Sequence, residues 1–119
     1  MSEQRLTNLS YLEEVGMNDE DLLIEMVEMF LKNTPDSIEQ LRQHHKEDNW
    51  KKLSAEAHKL KPNLSYVGLE QAREIVINIE KTAKTEPNPD ELLQQIDEVD
   101  EICQIAYEEL KERLRELKN

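Results

Sequence analysis

The sequence predicts an all-α protein, an antiparallel four-helix bundle with a short additional N-terminal helix. The 119 residues include only two glycines and four prolines, and abundant Glu, Lys, Leu and Gln is typical of helical domains. Apolar residues recur at spacings of three and four in several segments, and no segment alternates with period two. The length suits one domain, residues 1–119, with the bundle at about 18–117.

The first two elements are predicted from apolar spacing and caps. An N-terminal helix at about 4–15 has apolar side chains at every third position from Leu6, and it ends at Gly16. Asn18 is expected to cap the next helix, whose first turn is acidic. The apolar stripe of that helix runs through Pro35, which favours one long helix kinked near the proline over two separate helices.

Two shorter helices are predicted next. A polar break covers residues 44–48, and Asp48 is expected to cap a third helix that begins near Trp50. Gly68 ends that helix and separates it from a fourth. The apolar rows are Leu53, Ala57, Leu60 and Leu64 on the third helix, and Leu69, Ala72, Val76, Ile79 and Ala83 on the fourth.

The last helix begins at Asn88-Pro89-Asp90-Glu91, which supplies a cap, a proline at the first position and an early acidic residue. Its inner row is Leu92, Ile96, Val99, Cys103, Ala106, Leu110, Leu114 and Leu117. Cys103 is therefore predicted to be a packed core thiol and not a reactive one. The alternative, a coiled-coil dimer through this helix, is disfavoured because the row drifts to a 4-4-3 spacing near its end.

Charge and composition restrict the partners. With 15 basic and 27 acidic residues, the formal charge is −12, which argues against a nucleic-acid or anionic-membrane partner. The single cysteine suits a reducing compartment, and neither a signal peptide nor a membrane span is recognisable. A cytoplasmic monomer is expected, and Met1 and the charged tail are compatible with a complete short protein.

Several chemistries are set aside on residue types. No glycine-rich loop follows a strand, so no nucleotide site or autokinase activity is expected. One cysteine and three histidines do not supply a zinc site, and no other metal site is predicted. Acidic pairs such as Glu13/Glu14 and Glu108/Glu109 are interpreted as solvated faces. His44 and His45 are interpreted as surface or capping residues at the end of the second helix. The chain does not resemble a conventional enzyme.

His58 is the residue that the sequence singles out. At about 100° per residue it lies about 120° from the centre of the third helix's apolar stripe, so it is expected to face away from the core. Its neighbours include the small residues Ser54, Ala55 and Ser65, which are expected to leave this face open, and several lysines in an otherwise acidic protein. An exposed imidazole beside positive charge on a rigid helix suits a nucleophile that accepts a phosphoryl group.

The segment Ala57-His58-Lys59-Leu60-Lys61-Pro62, followed by Gly68-Leu69, resembles the signature of histidine-containing phosphotransfer (HPt) domains. The resemblance covers nearly the whole chain in architecture, although only this motif is specific, and it implies a four-helix bundle. One position departs from the pattern: Pro62 stands where the family usually has glycine. Because proline lacks an N–H, the carbonyl of His58 loses its helical donor, and a local kink or a water is expected there.

The resemblance implies roles for particular residues. His58 would be the phosphorylated histidine, and Lys61 would stabilise the added charge. Glu80 would either face the imidazole and fix its tautomer or be an ordinary exposed residue of the fourth helix. A docking face for the partner would include Ala55, Lys59, Pro62 and Ser65.

The implied function is that of a phosphorelay intermediate, a phosphohistidine carrier and not an enzyme by itself. A receiver-domain aspartate, in a response regulator or a hybrid histidine kinase, would pass a phosphoryl group to His58, and a second receiver would take it. No cofactor of its own is expected, and Mg²⁺ would be supplied by the receiver. The alternative is a helical adaptor that binds receivers or other helical partners without being phosphorylated.

Overall fold

A computed structural model describes residues 6–16 and 19–119 of the chain. Within them the structure is helical and contains no strand. The five helices are α1 (Ser10–Val15), α2 (Glu20–Lys46), α3 (Trp50–Tyr66), α4 (Glu70–Thr85) and α5 (Pro89–Lys118). The four long helices pack as neighbours in the order α2, α3, α4, α5 and back to α2, and α1 lies against α2. The prediction of an all-α bundle with a short extra helix is confirmed.

Side-chain caps fix where the helices begin. The carboxylate of Asp19 accepts a hydrogen bond from the Leu22 N–H at the start of α2, while the predicted cap Asn18 lies outside the described residues. Asn88 caps α5 by accepting from the Glu91 N–H at 3.2 Å, as the sequence predicted.

The predicted cap of α3 was wrong by one residue. Asn49, and not Asp48, accepts the hydrogen bond from the Lys52 N–H. Asp48 belongs instead to the end of α2: its φ is 52°, and the N–H groups of Asp48 and Asn49 donate to the carbonyls of His45 and His44. This pattern is a Schellman motif, in which a left-handed residue satisfies the last helical carbonyls. The polar break is therefore shorter than predicted, because α2 continues to Lys46.

The N-terminal helix is also shorter than the predicted 4–15. It begins at Ser10, and residues 6–9 are not helical, while residues 4 and 5 lie outside the described part. The Glu109 carboxylate accepts from the N–H groups of Leu6 and Thr7 at 3.0 Å each and from the Thr7 hydroxyl at 2.8 Å. The prediction that Glu109 belongs to a solvated face was therefore wrong. Because a carboxylate from the distant helix α5 accepts hydrogen bonds from these backbone N–H groups, the segment does not need to be helical to satisfy them.

Two of the four prolines lie inside continuous helices. Pro35 is within α2 and Pro62 is within α3, so the prediction of one long second helix is confirmed.

His45 near the end of α2 is half-buried, and its Nε2 donates to the Pro89 carbonyl at 2.7 Å. It therefore links α2 to the start of α5, a role that differs from the predicted capping or surface role.

The predicted apolar rows form one core. Cys103 is fully buried, and burial raises the pKa of its thiol to about 12, which confirms a packed and unreactive thiol. The inner row of α5 is buried as far as Leu110, and Leu114 and Leu117 are partly buried against the same core. The apolar row of α5 packs against the core of this same chain, so it does not form an open coiled-coil seam. Arg42 on α2 reaches Asp97 and Asp100 on α5 at 2.7 Å each.

Candidate functional site

His58 lies on the outer face of α3. Its side chain is 66% exposed, whereas Ala57 and Leu60, its neighbours on the inner face, are fully buried. The orientation predicted from the helical period is therefore the one that the structure shows.

Glu80 on α4 bridges His58 and Lys61. One carboxylate oxygen, Oε2, lies 2.9 Å from His58 Nδ1, and the other, Oε1, lies 2.6 Å from Lys61 Nζ. A carboxylate can only accept hydrogen bonds, so Nδ1 is the donor and carries the proton. In the neutral imidazole, the lone pair is then on Nε2, the ring nitrogen that Glu80 does not contact.

Two features of the chain place Glu80 opposite His58. The first is the tight turn between α3 and α4, where Gly68 has φ 73°. The N–H groups of Gly68 and Leu69 donate to the carbonyls of Ser65 and Leu64, which is a second Schellman motif. Because this turn is short, α4 returns directly along α3, and its third turn reaches the level of His58.

The second feature is a hydroxyl that the sequence analysis did not assign. Ser54 is buried, and its Oγ donates to the main-chain carbonyl of Glu80 at 3.0 Å. The bond joins α3 to α4 one helical turn before His58, and it fixes the position of Glu80 along the axis of α3. The sequence had indicated an open surface at Ser54. The only signal for a buried contact there was its position, as a small polar residue at the margin of the apolar stripe.

The electrostatics of the site favour an ionised Glu80. The hydrogen bond from Lys61 is the largest cause that holds the pKa of Glu80 below its ordinary value, partial burial acts in the opposite direction, and the bond to His58 lowers it further. Glu80 and Lys61 are only 16% and 25% exposed, respectively. The carboxylate therefore stays charged at neutral pH and can orient the imidazole.

Replacing Glu80 should change how stability depends on pH. Because the folded-state pKa of Glu80 lies below its ordinary value of 4.5, ionised Glu80 stabilises the fold above that pH, and this contribution is lost as the pH falls through the lowered pKa. We expect Glu80→Gln to be less stable than the wild type at about pH 7 and to approach it at about pH 3. Urea unfolding at both pH values measures the difference, and a constant difference would contradict the assignment.

The predicted docking residues lie on both sides of His58. Ala55, Lys59 and Pro62 are exposed and Ser65 is half-buried. A depression towards the start of α3 is lined by Lys51, Ser54, Ala55, His58, Lys59, Glu80, Ala83 and Lys84. A second one, towards its end, is lined by Tyr11, Lys61, Pro62, Ser65, Tyr66, Glu70 and Arg73. Lys84, Arg73 and Tyr11 were not predicted from the sequence, because only the packing of α1 and α4 against α3 brings them here.

Across residues 6–16 and 19–119, no three His, Cys, Asp or Glu side chains are grouped so that they could hold a metal ion. No helix in the described part of the chain combines the length and the apolar character that a bilayer span requires.

Comparison with known families gives an identification. The sequence model of the Hpt domain matches residues 25–119, which include α3, α4 and α5 and most of α2. Comparison with curated proteins and with solved structures gave no match. The matched region contains His58, Lys61 and Glu80, and the fold is the helical bundle expected of such domains. The chain therefore belongs to the Hpt domain family, whose members are phosphocarrier modules of two-component signalling that interact with receiver domains.

Proposed function

We propose that this protein is a phosphorelay intermediate in which Nε2 of His58 accepts a phosphoryl group from a receiver-domain aspartate and passes it to a second receiver. The observation that carries the proposal is the Glu80 bridge, which holds Nδ1 of an exposed imidazole at 2.9 Å. The bridge leaves Nε2 with the lone pair and access to a partner. An oriented nucleophile needs little further help from its own chain if the partner positions the phosphoryl group.

The transfer step exchanges one bond to phosphorus for another. The Nε2 lone pair attacks phosphorus in line with the aspartyl oxygen, the N–P bond forms, and the O–P bond breaks. The aspartate leaves as a carboxylate on the receiver, while the proton on Nδ1 stays in the hydrogen bond with Glu80. The reverse sequence, with a second receiver's aspartate as the nucleophile, returns the imidazole to its starting state.

Lys61 would offset the charge that His58 gains. A phosphoryl group adds negative charge to a chain that already carries −12. The Lys61 ammonium is held next to the imidazole by the same carboxylate, at 2.6 Å from Oε1. A rotation of its flexible side chain would bring the ammonium to the phosphoryl oxygens, where it would form charge-assisted hydrogen bonds.

The receiver would supply the rest of the catalysis. Phosphoryl transfer depends on positioning and on neutralising the charge of the transferred group. The depression beside His58 towards the start of α3 is lined by three cations, Lys51, Lys59 and Lys84, and by one carboxylate, Glu80. Mg²⁺ bound by the carboxylates of the receiver would therefore complete the site from the partner's side.

The chemistry of the phosphorylated residue tests the proposal. A receiver domain from the same organism, carrying labelled aspartyl phosphate, is mixed with the wild-type protein. We expect label to move to this chain, to be lost in acid and to survive alkali, and peptide mapping to place it in α3. If none of several receivers transfers label to a protein that circular dichroism shows to be folded, the adaptor function replaces this proposal. Label that survives acid or maps outside α3 would also contradict it.

A further inference from the structure

The depression beside His58 towards the start of α3 carries an excess of positive charge. Its charged and titratable lining residues are Lys51, Lys59, Lys84, Glu80 and His58. Both oxygens of the one carboxylate are already engaged, because Glu80 Oε2 contacts His58 and Oε1 contacts Lys61. Glu80 therefore does not neutralise the lysines of the depression, although the chain as a whole carries a formal charge of −12.

Two of these lysines have no acidic partner. Lys59 Nζ lies 3.7 Å from Glu56 Oε1. Among residues 6–16 and 19–119, no carboxylate forms an ion pair with Lys51 or with Lys84. Two like charges that line the same depression repel each other. A cleft lined by one sign of charge concentrates ions of the opposite sign, so this depression suits an anion.

The positions of the two lysines fit an anion attached to His58. Lys84 follows Glu80 by four residues, which places it on the same face of α4 and about 6 Å further along the helix. Lys51 precedes His58 by seven residues, two turns or about 10 Å along α3. Because α4 returns along α3, both lysines lie on the same side of the imidazole. Their flexible four-carbon side chains can turn towards it.

Lys61 lies on the other side of the imidazole. It lines the depression that contains Pro62, and His58 does not line that depression. Its Nζ is held 2.6 Å from Glu80 Oε1, and the same carboxylate holds Nδ1 of His58. A phosphoryl group on Nε2, the other ring nitrogen, would extend away from that pair and over the depression that His58 lines.

We infer that Lys84, together with Lys51, forms a second cation site that holds the phosphoryl group on Nε2 of His58. The inference rests on the proposed function, because phosphorylated His58 is the occupant. It goes beyond the charge stabilisation assigned to Lys61, because the added cations come from the opposite side of the ring and one of them from α4. Their ammonium groups would donate charge-assisted hydrogen bonds to the phosphoryl oxygens.

Phosphoramidate, a small phosphoryl donor, tests this site without a receiver. Nε2 attacks its phosphorus, a new N–P bond forms, the N–P bond of the donor breaks, and the protonated nitrogen of the donor leaves as ammonia. We expect Lys84→Gln to lower the rate of phosphorylation of His58 about threefold or more, and Lys51→Gln to lower it less, because Lys51 is further away.

The matched controls are Lys81→Gln on α4 and Lys52→Gln on α3. Each removes one exposed lysine from the same helix as its test variant, and neither residue lines a depression beside His58. The change in net charge is therefore the same in test and control. We expect the controls to change the phosphorylation rate by less than about 1.5-fold, since charges that are exposed and distant are screened.

Phosphorus-31 NMR gives a second readout, which a merely structural role would not change. A nearby ammonium favours the dianionic form of a phosphoryl group and so lowers its pKa. We therefore expect the pKa of phosphorylated His58 to be higher in Lys84→Gln than in the wild type or in Lys81→Gln. The difference should shrink at high salt, because salt screens the interaction.

The outcomes separate this inference from the proposed function. A phosphoryl pKa that is the same in Lys84→Gln and Lys81→Gln would overturn the second cation site, whatever the rates. A wild type that takes up no phosphoryl group from phosphoramidate would also overturn it, as would a phosphohistidine signal that persists in His58→Gln. If the pKa rises in Lys84→Gln but no receiver transfers label to the wild type, the site stands and only the relay function fails.

Discussion

His58→Gln should abolish phosphoryl acceptance while leaving the bundle intact. A glutamine amide has no nucleophilic lone pair comparable to that of Nε2, so we expect transfer from a labelled receiver to fall by at least about a thousandfold, to the detection limit. The side chain is 66% exposed and makes no core contact. The glutamine amide can also still donate to Glu80. Circular dichroism and urea unfolding should therefore differ little from the wild type, by no more than about 1 kcal/mol.

The control for this variant is His45→Gln. His45 donates to the Pro89 carbonyl and packs edge-on against Trp50, at the end of α2 and outside the surface around His58. A glutamine amide can donate to the same carbonyl, so we expect His45→Gln to accept label at the wild-type rate. Transfer that persists in His58→Gln and disappears in His45→Gln would show that the wrong histidine was assigned.

Gly68→Ala should destabilise the fold strongly. At φ 73° an alanine is strained by about 1–2 kcal/mol. Its Cβ would also lie 2.6 Å from the Cβ, 2.8 Å from the O and 2.9 Å from the N of Asn8. These atoms belong largely to the backbone, and the Asn8 N–H donates to the Val67 carbonyl at 2.8 Å, so the segment before α1 must move. We expect a total loss of about 2–4 kcal/mol, measured by urea or thermal unfolding.

The second glycine is the matched control. Gly16 has φ −77°, which any residue adopts, and its added Cβ would lie 3.0 Å from the Leu12 carbonyl and 3.7 Å from Leu22. We expect Gly16→Ala to cost no more than about 1 kcal/mol. In Gly68→Ala, the amides of Leu6 and Thr7 should also exchange with solvent faster, because their bonds to Glu109 depend on the position of the same segment. Similar losses of stability in the two variants would contradict the assigned role of the Gly68 turn.

The sequence alone determined the features that depend on local periodicity. The core rows of α2 to α5 were predicted correctly because an amphipathic helix repeats with a fixed period, whatever it packs against. The same period predicted that His58 faces outwards and that Cys103 is buried. The start of α5 was predicted because cap, proline and acidic residue are consecutive, so Asn88 needs no distant partner to act as a cap.

The boundaries that were wrong are those where two local interpretations compete. Asp48 and Asn49 are both acceptable caps by residue type, and the choice depends on which of them takes the left-handed conformation that ends α2. The N-terminal helix was predicted too long because its apolar spacing continues to Leu6. The structure satisfies the amides of Leu6 and Thr7 with Glu109, a residue more than 100 positions away.

The candidate site also combines features that the sequence predicts with features that only helix packing decides. The sequence identified His58 and Lys61, which share a helix, and their relation follows from the helical period and from the resemblance to a known motif. It left the position of Glu80 open, because only the packing of α4 on α3 brings that carboxylate to 2.9 Å from the imidazole. Ser54 and Lys84 were missed for the same reason. Contacts between helices depend on how far each one is rotated and shifted against its neighbour, and the tertiary structure alone fixes those two quantities.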